Sequence, residues 1–328
     1  MIFDDRARGM DSNPTRGVVD VFRSLNPERI RRPTWLAVGT FDGVHLGHAA
    51  ILNRMLQCAK RESADGVAVT FDTHPQDTIR PSGTPFMLLT PPREKRRLLE
   101  LLGVHRVRNL PFTMDVARLG AEAFIDGLLR SFDLRGMVAG SDHGFGSGRR
   151  GGVGLIRELG ARFGFAVEVV EPVTADGESV SSTRIRRLLT EGNVEAAGRV
   201  LGRSYALPGI VVRGKGMGKG LGFPTANVQP EEGDKLLPRD GVYAARVRFG
   251  GRTSPGTVNV GMCPTIGQSG RTIEVHIHGL KGDLLGQSIT VDFLSRLRDE
   301  LVFESPEALA EQIRKDIENS RQGSFNTN

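Results

Sequence analysis

Two histidines three residues apart, His45 and His48, sit in Gly39-Thr40-Phe41-Asp42-Gly43-Val44-His45-Leu46-Gly47-His48, directly after a short apolar run. Glycines at 39, 43 and 47 let the backbone approach a phosphate closely, and the start of a helix adds N–H groups and positive partial charge. Both imidazoles, on a first helical turn, can then donate to one anion. A metal pair would want a third ligand and a spacing of four, so the framing favours phosphate. A second stretch, Gly214 to Asn227, is rich in glycine and carries Lys215 and Lys219. It is not a P-loop, because Gly220 follows Lys219, but its N–H groups could still cradle phosphates. Thr225 and Asn227 are two apart and point the same way on an extended segment, and their oxygens are hard ligands of the kind Mg²⁺ accepts. In Ile273–His278 the apolar residues alternate with Glu274, His276 and His278, which puts Glu274 on the polar face of a strand. Gly146 to Gly151 fits G-x-G-x-x-G, with Glu171 beyond it, but lies several residues past the end of a fourth strand, so a nicotinamide site there is disfavoured.

These groups need elements to hold them. From Trp35 to Val170, apolar runs of strand length alternate with helical periodicity, which implies a parallel sheet covered by helices on both faces. The first histidine segment falls at the carboxyl end of the first strand, the usual ligand crevice of such a sheet. Two short helices follow, TRIRRLLTEG and NVEAAGRVLG, each ending on glycine. After Gly202, the segments IVVR, GVYAARVRF, TVNVG, TIEVHIH and SITVDFL read as strands separated by glycine-rich turns, an antiparallel sheet or small barrel. Ser305 caps a final helix with Pro306 at its first position, running to about Glu318. The expected division is an extension at 1–33, an α/β domain at 34–202, a barrel with its terminal helix at 203–320 and a tail at 321–328.

With 328 residues the chain exceeds one ordinary core. There is no run of 18 apolar residues, and the N-terminus lacks the apolar stretch of a secretory signal. Two cysteines exclude a disulfide framework and a cysteine-rich zinc site, which fits a reducing cytoplasm. The net charge is +6, and of 44 basic residues 37 are arginine, whose fork suits phosphate.

GTFDGVHLGH resembles the HxGH signature of the nucleotidylyltransferase superfamily, in the form carried by bacterial bifunctional riboflavin kinase/FMN adenylyltransferases. Phe71-Asp72 with His74-Pro75, Glu94–Val104, Pro111-Phe112-Thr113, Gly140–Gly151 and Ser181–Arg186 extend the match in the family's order. GLGFPTAN, DGVYAA, VNVG-x-x-PT and IEVH resemble the family's kinase barrel. The resemblance implies a Rossmann-like adenylyltransferase domain followed by a small antiparallel barrel, with riboflavin, FMN and ATP as substrates and FAD as product. It implies ATP contacts from Gly39, Phe41, Asp42, His45, His48, Ser182, Thr183 and Arg184, with His45 and His48 catalytic, and flavin contacts from Asp72 and Asp142. In the barrel it implies ATP contacts from Gly214, Lys219, Gly222, Pro224 and Thr225, Mg²⁺ at Thr225 and Asn227, Glu274 as the base and flavin contacts from Arg298 and Glu300.

The sequence also departs from the family pattern. Thr73 replaces a usual proline and His143 a usual phenylalanine. His278–Gly286 lacks the usual acidic-aromatic run, with Leu285 where tyrosine is typical, so weaker flavin contact in the kinase is expected. The expected protein is a cytoplasmic enzyme of both activities, a monomer or weak homo-oligomer with no nucleic-acid or membrane partner. One alternative is an adenylyltransferase whose barrel binds flavin without phosphorylating it. A nucleic-acid-binding barrel is the other, disfavoured because the barrel has few aromatic residues to stack on bases.

Overall fold

The computed structural model describes residues 22, 25, 32–79, 86–142, 144, 151–214, 220, 222–265 and 268–323. Two compact units are formed from interleaved segments. One comprises 1–40, 50–85 and 99–171, and the other 41–49, 86–98 and 172–328.

The first unit is built on five parallel strands, β1 (Pro33–Val38), β2 (Asp65–Phe71), β3 (Arg106–Leu110), β4 (Asp133–Gly140) and β5 (Ala166–Val170). Their order is β3-β2-β1-β4-β5, so the chain reverses direction across the sheet between β1 and β4. β1 and β2 are buried along almost their whole length, as strands covered on both faces must be. Trp35 faces Gly136 across the β1–β4 pair, where any Cβ would stand 2.5 Å from the indole. Glycine is therefore required there. Helices α1 (Leu46–Arg61), α2 (Pro75–Ile79), α3 (Pro92–Leu101), α4 (Met114–Arg118), α5 (Ala121–Ser131) and α6 (Val153–Phe163) make the connections. The core around the sheet gathers Leu36, Val67, Val69, Leu110, Ile125, Leu128 and Ile156.

The second unit contains a closed barrel of β8 (Tyr205–Val212), β9 (Ala226–Pro230), β10 (Gly241–Phe249), β11 (Arg252–Thr265), β12 (Gln268–Ile277) and β13 (Ser288–Arg298). The order round the barrel is β10-β11-β12-β9-β8-β13. Its interior is filled by Tyr205, Leu207, Tyr243, Val258, Val275, Val291 and Phe293, with Tyr243 edge-on to Phe293 at 5.3 Å. Before the barrel come a two-residue hairpin, β6 (Thr174–Ala175) and β7 (Glu178–Ser179), and helices α7 (Ser182–Glu191) and α8 (Val194–Leu201). Ser181 caps α7 by accepting from the Arg184 N–H, and Asn193 caps α8 by accepting from that of Ala196. Gly192 and Gly202 end the two helices in the left-handed conformation, at φ 84° and 78°. The terminal helix α9 (Pro306–Gly323) has Ser305 accepting from the Ala308 N–H, and extends five residues past the end expected from its pattern.

Candidate active sites

The first histidine segment is a tightly constrained turn. Phe41 and Val44 have φ of 47° and 41°, and Gly43 has φ of 91°. Positive φ suits Gly43, but at Phe41 and at β-branched Val44 it costs on the order of 1–3 kcal/mol each and persists only where neighbours enforce it. The enforcement is visible. Asp42 Oδ1 accepts from the N–H groups of Leu89 (2.9 Å) and Thr90 (3.0 Å), and its Oδ2 pairs with the Arg186 guanidinium. Thr90 Oγ1 accepts from the Gly43 N–H at 2.8 Å, and Ser182 Oγ donates to the Asp42 carbonyl at 2.7 Å. Arg203 spreads its fork over the next two carbonyls, Gly43 (2.7 Å) and Val44 (3.0 Å). Asp42, expected to touch ATP, is 3% exposed with both carboxylate oxygens engaged, so its side chain acts on the turn.

His45 precedes α1 rather than lying on its first turn, and its Nδ1 accepts from the His48 N–H at 3.3 Å. That contact makes His45 a helix cap and leaves its ring proton on Nε2. The two imidazoles stack at 3.6 Å, and Phe41 meets His48 edge-on at 5.3 Å. Burial first, then the charges of His45, Lys95 and Arg203, hold the His48 imidazole well below its ordinary pKa of 6.5. His48 is thus neutral near pH 7, with a buried Nδ1 that has no hydrogen-bond partner among the described residues. Thr183 is exposed in the first turn of α7. Arg184 turns away to the β6–β7 hairpin, donating to the carbonyls of Ala175 (2.7 Å) and Glu178 (3.0 Å) and pairing with the Glu178 carboxylate at 3.2 Å.

In the first unit, Gly39 donates its N–H to the Val69 carbonyl at 3.0 Å, continuing the β1–β2 ladder. Asp72 and Asp142 follow the carboxyl ends of β2 and β4, the strands that flank β1. Asp72 Oδ1 accepts from the N–H groups of Thr73 (2.7 Å) and Phe112 (3.1 Å). Both aspartates are exposed at the sheet edge where ligands of such folds bind. His143 and the glycine-rich run 145–150 lie outside the described residues.

The barrel gathers the other set. Asn227 on β9 is in register with Glu274 on β12, and Glu274 is in register with Asn259 on β11. Thr225 Oγ1 donates to Glu274 Oε2 at 3.3 Å. A Cβ at Gly214 would stand 1.8 Å from Asn227 Nδ2, so the glycine gives that amide its place. Gly222 is left-handed at φ 85°, and the Pro224 carbonyl lies 2.9 Å from His276 Nδ1, which ties the segment ahead of Thr225 to β12. Lys215 and Lys219 lie outside the described residues. Arg298 is committed to Asp316 of α9 through a bidentate pair (2.6–3.1 Å), and Nη1 donates to the Asp299 carbonyl. Glu300 accepts from Asn259 Nδ2 at 3.3 Å, over Gly261, where a Cβ would stand 1.8 Å from its carboxylate. Asn259 was not singled out in the sequence; its mark was the asparagine within the alternating run TVNVG. The donors around Glu274 are all oxygens or amides, a set that fits Mg²⁺ shared with a polyphosphate.

Comparison with known proteins matches two successive stretches of the chain to two family models. A family model described as FAD synthetase matches residues 28–184, and one described as riboflavin kinase matches 201–323. The bifunctional riboflavin kinase/FMN adenylyltransferase of Listeria monocytogenes is 34% identical over 290 residues, 87% of this chain and 91% of that protein. Its counterpart in Pseudomonas fluorescens is 35% identical over 300 residues, 91% and 94% of the two chains. A crystal structure described as a macrolide-efflux protein from Streptococcus pneumoniae superposes with a TM-score of 0.83 at 30% identity, over 89% of this chain and 95% of that one. No helix among the described residues is long and apolar enough to cross a membrane.

Proposed function

The chain belongs to the family of bifunctional riboflavin kinase/FMN adenylyltransferases, and from that premise we propose which of its residues carry each reaction. The protein phosphorylates riboflavin to FMN with ATP and adenylylates FMN to FAD, releasing pyrophosphate. Matches to both family models speak against the single-activity reading. We assign the kinase to 203–320 and the adenylyltransferase to 34–202, with 1–33 and 321–328 outside the chemistry.

In the kinase, Glu274 takes the proton of the riboflavin 5′-hydroxyl as that oxygen attacks the γ-phosphorus of ATP. The convergence of Thr225, Asn227 and Glu274 on one outer patch of β9 and β12 is the observation that carries this reading. Thr225 and Asn227 would hold Mg²⁺, which when bound neutralises charge on the polyphosphate. Asn259 and Glu300 extend the polar row on the flavin side. In the adenylyltransferase, the FMN phosphate attacks the α-phosphorus of ATP without a covalent enzyme intermediate, so alignment and charge stabilisation do the work. His48, kept neutral by burial, and His45, protonated on Nε2, offer N–H donors to the α-phosphate oxygens without the desolvation cost of a buried imidazolium. Thr183 and the N-terminal N–H groups of α7 face the departing pyrophosphate, and Asp72 and Asp142 contact the flavin. Gly39 and the backbone of Phe41, whose side chain is buried, line the nucleotide.

We place both reactions in the cytoplasm, in a monomer or weak homo-oligomer that needs no nucleic acid. The test is direct: incubate the protein with riboflavin, ATP and Mg²⁺ and separate the flavins by chromatography. FMN followed by FAD is expected; FAD from supplied FMN without any FMN from riboflavin would overturn the kinase assignment.

A further inference from the structure

The strained turn before His45 is held by residues from outside the stretch that matches the FAD synthetase model, which ends at 184. Three anchors stand out. Arg186 reaches back to Asp42 and to the Met87 carbonyl. Arg203 caps the carbonyls of Gly43 and Val44. Lys235, 2% exposed, donates to the Leu89 carbonyl (2.7 Å) and to Glu94 (2.6 Å), and so fixes the segment whose N–H groups bind Asp42. The direction of Arg203 is itself built. Gly202 closes α8 left-handed, and the N–H groups of Gly202 and Arg203 both return to the Gly198 carbonyl. A Cβ at Gly202 would stand 2.5 Å from Leu46, the first residue of α1.

We propose that Arg203 is a positioning residue for adenylyl transfer: its fork enforces the left-handed backbone of Val44 and thereby sets where His45 and His48 stand. Both carbonyls meet the guanidinium in the same turn in which Gly43 and Val44 hold positive φ. Without the fork, Val44 relaxes toward ordinary backbone and carries His45, one residue on, away from its stacked place against His48. Arg203 is half-buried and its fork is satisfied by backbone acceptors, so it need not touch the nucleotide to act. The same logic makes adenylyl transfer depend on Lys235, which lies within the stretch matching the riboflavin kinase model.

The inference rests on the assignment of His45 and His48 to adenylyl transfer, and its test separates the two. In the full-length protein, FMN adenylylation and riboflavin phosphorylation are measured for Arg203→Ala, Arg203→Lys, Val44→Gly, each Arg203 variant combined with Val44→Gly, and His48→Ala. Arg203→Ala should lower kcat for adenylylation by about 10- to 100-fold, the scale of an ångström misplacement, with KM for ATP nearly unchanged and kinase activity retained. Arg203→Lys, which replaces a fork by a single point, should fall between. Glycine at 44 adopts positive φ freely, so Val44→Gly should restore several-fold of the kcat lost in Arg203→Ala. A raised KM for ATP without rescue would mean that Arg203 binds nucleotide directly, and overturns the proposal. Full adenylylation in Arg203→Ala or in Arg203→Lys overturns it as well, with the histidine assignment standing if His48→Ala is impaired. If Arg203→Ala fails to fold, the intermediate kcat of Arg203→Lys and its recovery with Val44→Gly decide. Normal adenylylation in His48→Ala removes the reading on which the proposal stands.

Discussion

His48 and Glu274 belong to different constellations, and single substitutions should separate the activities. His48→Ala should cut FAD formation from FMN by about 100-fold or more, because a donor to developing negative charge is lost, while FMN formation persists. Glu274→Gln keeps shape but removes the base, and should cut riboflavin phosphorylation by roughly 100- to 10,000-fold while FAD forms normally from supplied FMN. Steady-state rates with each substrate check both, and parallel loss in either variant would refute the two-site assignment. His278 offers a stability prediction. Its Nε2 lies 3.0 Å from Thr257 Oγ1 and 3.3 Å from Ser320 Oγ, and burial, then His276 and Arg321, push its pKa from 6.5 down to about 4. Between those values the unfolded chain binds a proton that the folded chain refuses, so stability falls as pH drops from about 6.5 to about 4. Thermal midpoints of His278→Gln should fall less steeply over that window than those of the unaltered protein. At this scale the sequence displayed the groups whose spacing has meaning by itself: His45 and His48, Thr225 and Asn227, and alternating Glu274. Arg203 carried no local mark among 37 arginines, because what distinguishes it is the backbone it meets.

At the scale of elements, the β12–β13 connection is where departure from the family pattern should be measurable. Three left-handed glycines, Gly279, Gly282 and Gly286, shape it, and Leu285 is anchored through its N–H to Asp283 while its side chain is 47% exposed. Leu284, by contrast, is buried. A larger ring at 285 therefore meets no core. Leu285→Tyr should lower KM for riboflavin with kcat little changed, since restored ground-state contacts act on binding. An unchanged KM would remove position 285 from flavin recognition. Helices α7 and α8 were legible, closing on Gly192 and Gly202 as read, because terminal glycines are local chemistry; the Ser181 and Asn193 caps were not singled out. β9 was not legible as a strand: it is five residues long, mostly half-buried and ends on Pro230, so it lacks the apolar alternation that marked its neighbours. The β6–β7 hairpin, two residues a side, is too short for any period to register.

Across the whole molecule, each set of candidate catalytic residues is supplied by one chain, so two defective chains should complement each other. Mixing His48→Ala with Glu274→Gln protein should convert riboflavin to FAD after a lag in which FMN accumulates; absence of FAD would mean that FMN does not leave its site of formation. The two classes of architecture were readable from the change of pattern near Gly202. The return of 41–49 and 86–98 to the unit that holds the barrel was not, because pattern reading joins neighbours in the chain and these segments are joined by side chains far apart in it. The barrel's closure carries one more consequence. β9 and β12 meet through two residue pairs, Asn227 with Glu274 and Ala226 with Val275, whereas β11 and β12 pair along ten. The shortest ladder is the one that breathes most readily, and it is also where ATP and riboflavin would be gripped. Occupancy laces that join, adding about 2.7 kcal/mol when a ligand stands at a hundred times its Kd. Substrate supply should then set how long the protein lasts as well as how fast it works, with limited proteolysis of the ligand-free chain expected to begin at the edge between β9 and β12 and to slow when ATP and riboflavin are added.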